Sequence, residues 1–330
     1  MKSVRIQPVP PFRLDFSAWA LRRSAVNGMD RWDGRTYRRV LVADNRAVTV
    51  SVVQEGSADA PVVSVSWEEG CLSSRQEDEV VMTVRKMLGL DVDLGDFYRL
   101  AAANRPLAEL VNRFTGLKPP RLPSVFETLI NGIACQQLSL HVGILLLNRL
   151  CSACGLSADR PQADRESAFP RPVDLAHRKP ADLMELGFSR RKAEYILNFA
   201  AMSVGGELNL ERFDDGGDDE VLSSLLALRG IGPWTAEYVM LRGLGRLNTI
   251  PADDVGIQNK LQKWLNLDER PSSGAIRQMF PEISPYRGLI YFFLLLDYLS
   301  GKGFGRAGCP RGGWPGGHGV YWAERSSPGR

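Results

Sequence analysis

The chain has 330 residues, 44% of them hydrophobic and 24% charged, which suits about two globular domains and excludes a disordered or collagen-like polymer. Net charge is +3, yet residues 301–330 alone hold five basic residues (Lys302, Arg306, Arg311, Arg325, Arg330) against Glu324, so residues 1–300 sum to −1 and any polyanion site in them must be a local patch. Five cysteines do not make a disulfide scaffold, MKSVRIQPVPPF lacks a signal-peptide core, and the longest apolar run, Leu289–Leu296, falls far short of the ~20 residues that span a bilayer, so a reducing, cytoplasmic setting is expected.

In chain order, Val40 and Val42, a turn at Asp44-Asn45-Arg46, then Val48, Val50 and Val52, and finally Val63, Val65 and Trp67 follow a period of two. That predicts an antiparallel sheet with one buried face over residues 38–67, with Trp32 anchoring the same unit. Ser74 and Glu77 have capping-box spacing before a helix with Val80, Val81, Val84, Met87 and Leu88 on one stripe. Residues 1–115 therefore read as a small α+β domain. After Lys118-Pro-Pro-Arg-Leu-Pro123 the pattern becomes helical. Ser124 and Glu127 form a second box before Phe126, Leu129, Ile130 and Ile133. Ser139 opens a helix carrying Val142, Leu145, Leu146 and Leu150, and Ser189 one carrying Ala193, Ile196, Leu197 and Ala200. Residues 152–180 read as a long polar loop, Asp214–Asp219 as a solvated turn, and Ser284-Pro285 as the N-cap and first residue of a last helix ending at Leu299. Residues 116–300 are thus expected to be an all-α domain. The Gly-rich basic stretch 301–330 is expected to be mobile.

Two stretches carry chemistry. In Leu228-Arg-Gly-Ile-Gly-Pro-Trp-Thr-Ala236 one helix runs into a tight turn and Pro233 opens the next. Gly230 and Gly232 allow positive φ and close backbone approach, and the free N–H groups at the second helix's start suit a phosphate. The plain alternative is an ordinary glycine turn, which the longer motif argues against. Downstream, Asp253 and Asp254 stand before a pattern of Ile257, Leu261, Trp264 and Leu265, hence at a helix N-terminus. Both could be capping acids. One cap needs one acid, however, and an ionised carboxylate near Trp234 and Tyr238 suits a sugar cation or an activated water. Gln136-Gln137 interrupts an apolar helix pattern. The lone pair Cys151 and Cys154 has no partner pair to complete a zinc site, and His141, His177 and His318 form no ligand set.

Together the stretches 121–127 (RLPSVFE), 136–139 (QQLS), 186–194 (LGFSRRKAE), 228–238 (LRGIGPWTAEY) and 251–255 (PADDV) resemble the helix-hairpin-helix-GPD superfamily of DNA glycosylases, and within it the 3-methyladenine DNA glycosylase II branch. The sheet-bearing N-terminal unit is similar to that branch's smaller domain. The resemblance implies a monofunctional base-excision-repair enzyme, expected to be a monomer, that everts alkylated purines from double-stranded DNA and hydrolyses the N-glycosidic bond. It implies Asp254 as the catalytic acid, and Trp234, Tyr238, Asp253 and Gln137 around the base. Leu138 becomes the wedge, and Arg229, Gly230, Ile231, Gly232 and Thr235 the backbone anchor. Trp234 stands where lyase-competent members hold a lysine. No organic cofactor or iron–sulfur cluster is implied, since only Cys309 follows the catalytic motif. A monovalent cation at the hairpin is. Rival readings are a damage-binding module without turnover and an oxidised-base glycosylase with lyase activity.

Overall fold

A computed structural model describes residues 1–70, 72–158, 166–210 and 212–303. The expectation of a mobile tail falls outside these residues from 304 onward. Near the N-terminus, β1 (Lys2–Ile6) and α1 (Leu14–Arg22) precede β2 (Arg31–Trp32), β3 (Thr36–Ala43), β4 (Arg46–Glu55) and β5 (Val62–Trp67). The five strands form one antiparallel sheet in the order β1-β5-β4-β3-β2. Pairing of Ala43 with Arg46 leaves Asp44 and Asn45 as the turn, so Arg46 belongs to the strand.

The expected inner face of β3 is out of phase by one residue. Tyr37 pairs with Val52 and Leu41 with Val48, and directly paired residues share a face. Tyr37, Leu41 and Ala43 therefore join the core with Val48, Val50 and Val52, while Val40 is buried on the opposite face against Ala158 and Ala168. Helix α2 (Ser74–Leu88) covers the inner face through Val80, Val84, Met87 and Leu88. Its capping box is Ser73 with Gln76, one residue earlier than the spacing of Ser74 and Glu77 suggests.

The next helices, α3 (Gly95–Ala102) and α4 (Arg105–Arg113), pack with the end of the chain: the Phe97 ring stacks on Phe293 at 5.6 Å. A third core gathers α5 (Val125–Cys135), α6 (Leu140–Cys154), α7 (Pro172–Leu175), α8 (Pro180–Glu185) and α9 (Arg190–Val204). Ser124, Ser139 and Ser189 cap α5, α6 and α9 as expected, but the Glu127 side chain points away to Arg39, so Ser124 makes no box. On α6 the buried stripe is Ile144, Leu146, Leu147 and Leu150, with Val142 exposed. The segment read as a long loop contains α7, and the Asp214–Asp219 turn divides into α10 (Arg212–Asp215) and the start of α11 (Asp218–Leu226). Then come α12 (Pro233–Val239), which runs into a single π-turn over Met240–Leu244, α13 (Val255–Leu265), α14 (Ser273–Gln278) and α15 (Leu289–Gly301). Helix α15 starts four residues after Pro285: the Ser284 hydroxyl faces Asn248 and Gly288 takes the cap position. Among the described residues no helix is long and apolar enough to cross a membrane.

A buried ionic cluster ties the sheet to α5. Arg39 of β3 donates to Asp30 at 2.6 Å and to Glu127 on α5, and Tyr37 donates to the same Asp30 oxygen at 2.6 Å. Burial disfavours the Asp30 charge, but Arg39 and the hydrogen bonds from Tyr37, Arg39 and Asn27 outweigh it and hold this carboxyl below its usual range. Burial pushes the Glu127 carboxyl up, with Arg39 opposing. Removing Arg39 would strand two buried acids. Arg39→Ala is expected to lower the unfolding free energy by about 3–5 kcal/mol in urea denaturation. The stabilising contribution of Asp30, read as the difference between wild type and Asp30→Asn, should be present above the unfolded carboxyl value near 3.8 and disappear as pH falls below it.

Candidate active site

The hairpin between α11 and α12 is built from the core outward. Ile231 at its apex is buried in the helical core, and its N–H closes the turn on the Leu228 carbonyl at 3.0 Å. Gly230 has φ +99°, and a Cβ there would lie 2.5 Å from the Tyr195 ring of α9. Tyr195 thus sets how close the turn can sit to α9, and only glycine fits. Gln136, the C-cap of α5, donates from Nε2 to both the Gly230 carbonyl and the Thr235 hydroxyl at 3.0 Å. Lys192 of α9 in turn donates to the Ala134 and Gln136 carbonyls at 3.0 and 2.8 Å. The glutamine pair that breaks the apolar pattern is therefore the end of α5, and Gln136 is the clamp on the hairpin.

The Ile231 and Thr235 side chains are both buried, as suits residues expected to act through their backbone. What the turn offers outward is backbone. Pro233 lacks an N–H, and among the described residues the N–H groups of Gly232, Trp234 and Thr235 have no protein acceptor. The Arg229 side chain is exposed beside them. These free groups are donors, which suit an anion. The Leu228 and Gly230 carbonyls each accept one hydrogen bond, from the Ile231 N–H and from Gln136 Nε2, which leaves each oxygen a second lone pair.

Asp254 is the N-cap of α13. Its Oδ1 accepts from the Gly256 and Ile257 N–H groups at 2.7 and 3.2 Å, and its Oδ2 accepts from the Trp234 indole Nε1 at 3.1 Å. One oxygen is spent on the helix, while the other accepts from the indole. The carboxylate is half-buried. Trp234 and Tyr238 lie side by side on α12, ring centroids 5.7 Å apart and tilted by 30°. Behind Tyr238, its hydroxyl accepts from Arg23 at 2.9 Å and donates to Asn131 at 3.1 Å, and Arg23 also donates to Asn131 at 3.0 Å. Tyr291 faces the same space: burial first, then the Asp254 charge, push its phenol well up. Burial pushes the Lys260 amine down, with Asp254 opposing.

The two adjacent acids diverge. Capping and proximity to Trp234 both fall to Asp254, whereas the Asp253 carboxylate is taken up by Arg277 at 2.6 Å. Asp253, expected beside the base, is thereby an ion-pair partner of Arg277. Gln137, with φ +56°, and Leu138 are exposed on the turn between α5 and α6, so Gln137 does not join the Trp234–Tyr238 wall by any hydrogen bond. Sequence reasoning missed Arg23, Asn131, Gln136, Glu237, Arg277 and Tyr291. Only Gln136 left a signal, as a polar break in an apolar helix. A cavity of about 420 Å³ lies elsewhere, between β3, the start of α5 and residues 168–172, and none of Asp254, Trp234 or Tyr238 lines it. Cys151 and Cys154 are buried on α6, and no group of acids, histidines and cysteines among the described residues could hold a metal ion.

Comparison with known proteins places this arrangement. Residues 130–285 match the HhH-GPD superfamily base excision DNA repair proteins, and residues 3–126 match the AlkA N-terminal domain. A putative DNA-3-methyladenine glycosylase of Bacillus subtilis is 28% identical over 296 residues, covering 88% of this chain and 97% of that protein. DNA-3-methyladenine glycosylase 2 of Escherichia coli is 28% identical over 157 residues, covering 48% of this chain and 54% of that protein. Among solved structures, a 3-methyladenine DNA-glycosylase from Archaeoglobus fulgidus superposes with a TM-score of 0.77 at 27% identity, covering 89% of this chain and 97% of that one.

The two hairpin glycines should respond differently to a methyl group. Gly230→Ala, strained in φ and driven into Tyr195, is expected to cost about 1–3 kcal/mol in urea unfolding. Gly232→Ala, at φ −99° with nothing within 4 Å of the added carbon, should change stability by less than about 0.5 kcal/mol.

Proposed function

The chain belongs to the HhH-GPD superfamily of base excision DNA repair proteins, and from that premise we propose that it is a monofunctional DNA glycosylase that excises alkylated purines of the 3-methyladenine and 7-methylguanine type. The observation that carries the reading is the Asp254 carboxylate, held by the N-terminus of α13 with Oδ2 on the indole of Trp234 and Tyr238 alongside. In this reading the protein acts as a monomer on duplex DNA in the cytoplasm.

The reaction follows from the groups present. Gly232, Trp234 and Thr235 N–H groups grip a backbone phosphate with help from the α12 dipole, and Arg229 adds a point of charge. Leu138, 43% exposed, fills the gap left by the everted nucleotide, with Gln137 beside it. An alkylated purine carries positive charge, so the indole face of Trp234 attracts it. When the C1′–N bond breaks, its electron pair goes to the base and neutralises that charge. The free lone pair of Asp254 Oδ2 then faces the developing oxocarbenium ion at C1′. Water forms the new C1′–O bond and gives its proton to the carboxylate or to solvent. The products are the free base and an intact abasic strand. With Trp234 at the lyase position, no amine stands there to form an imine at C1′.

Purified protein incubated with methylated duplex DNA should release free 3-methyladenine or 7-methylguanine, measured by chromatography. Asp254→Asn is expected to slow release by about 100-fold or more while duplex affinity holds. Equal release by the variant would refute the catalytic assignment, and no release by wild type would refute the reaction. Borohydride should trap no covalent complex. Arg229→Ala should weaken binding to lesion-bearing and undamaged duplexes alike, and reduce the slope of log affinity against log salt by about 1.

A further inference from the structure

We infer, on the basis of the glycosylase reading above, that Arg277 is a positioning residue for base excision: its guanidinium straps Asp253 to Glu237 and so fixes where the adjacent Asp254 carboxylate stands relative to Trp234. Arg277 lies on α14, outside every motif that carries the family resemblance. Its Nε donates to Glu237 Oε1 at 2.8 Å and its terminal nitrogen to Asp253 Oδ2 at 2.6 Å. Glu237 sits three residues after Trp234 on α12, and its other oxygen accepts from the Ala252 N–H at 2.9 Å. The helix that carries the indole and the loop that carries the acid therefore meet at one buried carboxylate and one guanidinium.

The strap is itself held. Arg287 donates to the Arg277 carbonyl at 2.5 Å and, from Nε, to Asn248 Oδ1 at 3.0 Å. Asn248 begins the segment that ends in Asp254. Residues 248–254 are thus tied at the far end through Arg287 and at the near end through Arg277, while Gln258 of α13 donates to the Ala252 carbonyl at 2.9 Å. Asp254's own bond to Trp234 is one tie between α12 and the head of α13; the strap adds a second, which holds the loop that carries the acid to the helix that carries the indole.

Arginine is required because the two acids need two nitrogens in a fixed plane. Lysine offers one point charge and can satisfy only one of them fully. Burial pushes the Glu237 carboxyl up and Arg277 opposes it, so loss of Arg277 favours the neutral acid and frees the loop on both sides. The pair with Asp253 is partly exposed, with side chains 41% and 36% accessible, so its contribution is to geometry more than to stability.

The test separates position from fold and from function. Single-turnover base release, duplex affinity and amide hydrogen exchange are measured for wild type, Arg277→Lys and Arg277→Met. With Arg277→Met the release rate is expected to fall about 10–100-fold, the cost of misplacing a reacting group by about 1 Å. Duplex affinity should stay within about threefold of wild type, and amides in residues 248–254 should exchange at least about tenfold faster while α5 and α9 keep their protection. Arg277→Lys should fall between. Glu237→Gln, which keeps shape and removes charge, carries the same test if Arg277→Met unfolds, and its release rate should also fall with affinity retained. Wild-type release rates in these variants, or unchanged exchange over 248–254, would overturn the inference. If wild type itself releases no base, the glycosylase reading fails, and the exchange result still decides whether the strap exists.

Discussion

The site depends on how one carboxylate divides its two oxygens. Oδ1 of Asp254 is committed to the first N–H groups of α13, which would otherwise lack acceptors, so the carboxylate plane is fixed by the helix end. Oδ2 accepts from Trp234. A free aspartate on a loop would turn, and a fully bonded one would be inert. In the proposed reaction, capping and catalysis are two uses of the same side chain.

Around this acid the protein arranges support from several elements. Gln136 and Lys192 lock the end of α5 to the hairpin and to α9, and Gly132 lets α5 approach Thr235 so closely that a Cβ there would lie 2.8 Å from its methyl group. The polar interior behind Tyr238 is built on Arg23, the residue that ends α1, and on Arg242, fully buried on the π-turn and lying over the Phe292 ring at 5.2 Å. Arg242 also donates to the Ala20 carbonyl at 2.9 Å, so the N-terminal helix α1 is fastened to the floor of the site twice. The buried Arg39 cluster joins the sheet to α5 further along. The small N-terminal unit thus helps hold the aromatic wall in place.

Much of this was legible in the sequence. Serines 124, 139 and 189 cap their helices because a local hydroxyl satisfies an N–H three residues on, and that chemistry needs no distant partner. The hairpin's glycines and Pro233 were readable for the same reason. Less was legible where two choices look alike locally. Ser73 and Ser74 are equally good caps, and the structure uses the first. On β3 an alternating pattern admits either phase, and the pairing of Leu41 with Val48 selects one. Ser284-Pro285 has the composition of a helix start, yet the Ser284 hydroxyl turns to Asn248 and the helix waits for Leu289.

By itself the sequence determined elements whose bonds close within a few residues: the hairpin of β3 and β4, the serine caps of α5, α6 and α9, the glycine turn before α12, and an acid at the head of α13 with aromatic residues upstream. Only tertiary structure decided which of two neighbouring acids faces the indole, that Gln136 and not Gln137 grips the turn, and that Arg23, Asn131, Arg277 and Tyr291 belong to the site at all. Arg23 and Tyr238 stand 215 positions apart, and Arg277 reaches Glu237 across 40. Such pairs leave no periodicity to read, because each depends on how whole helices pack and not on what lies beside it in the chain.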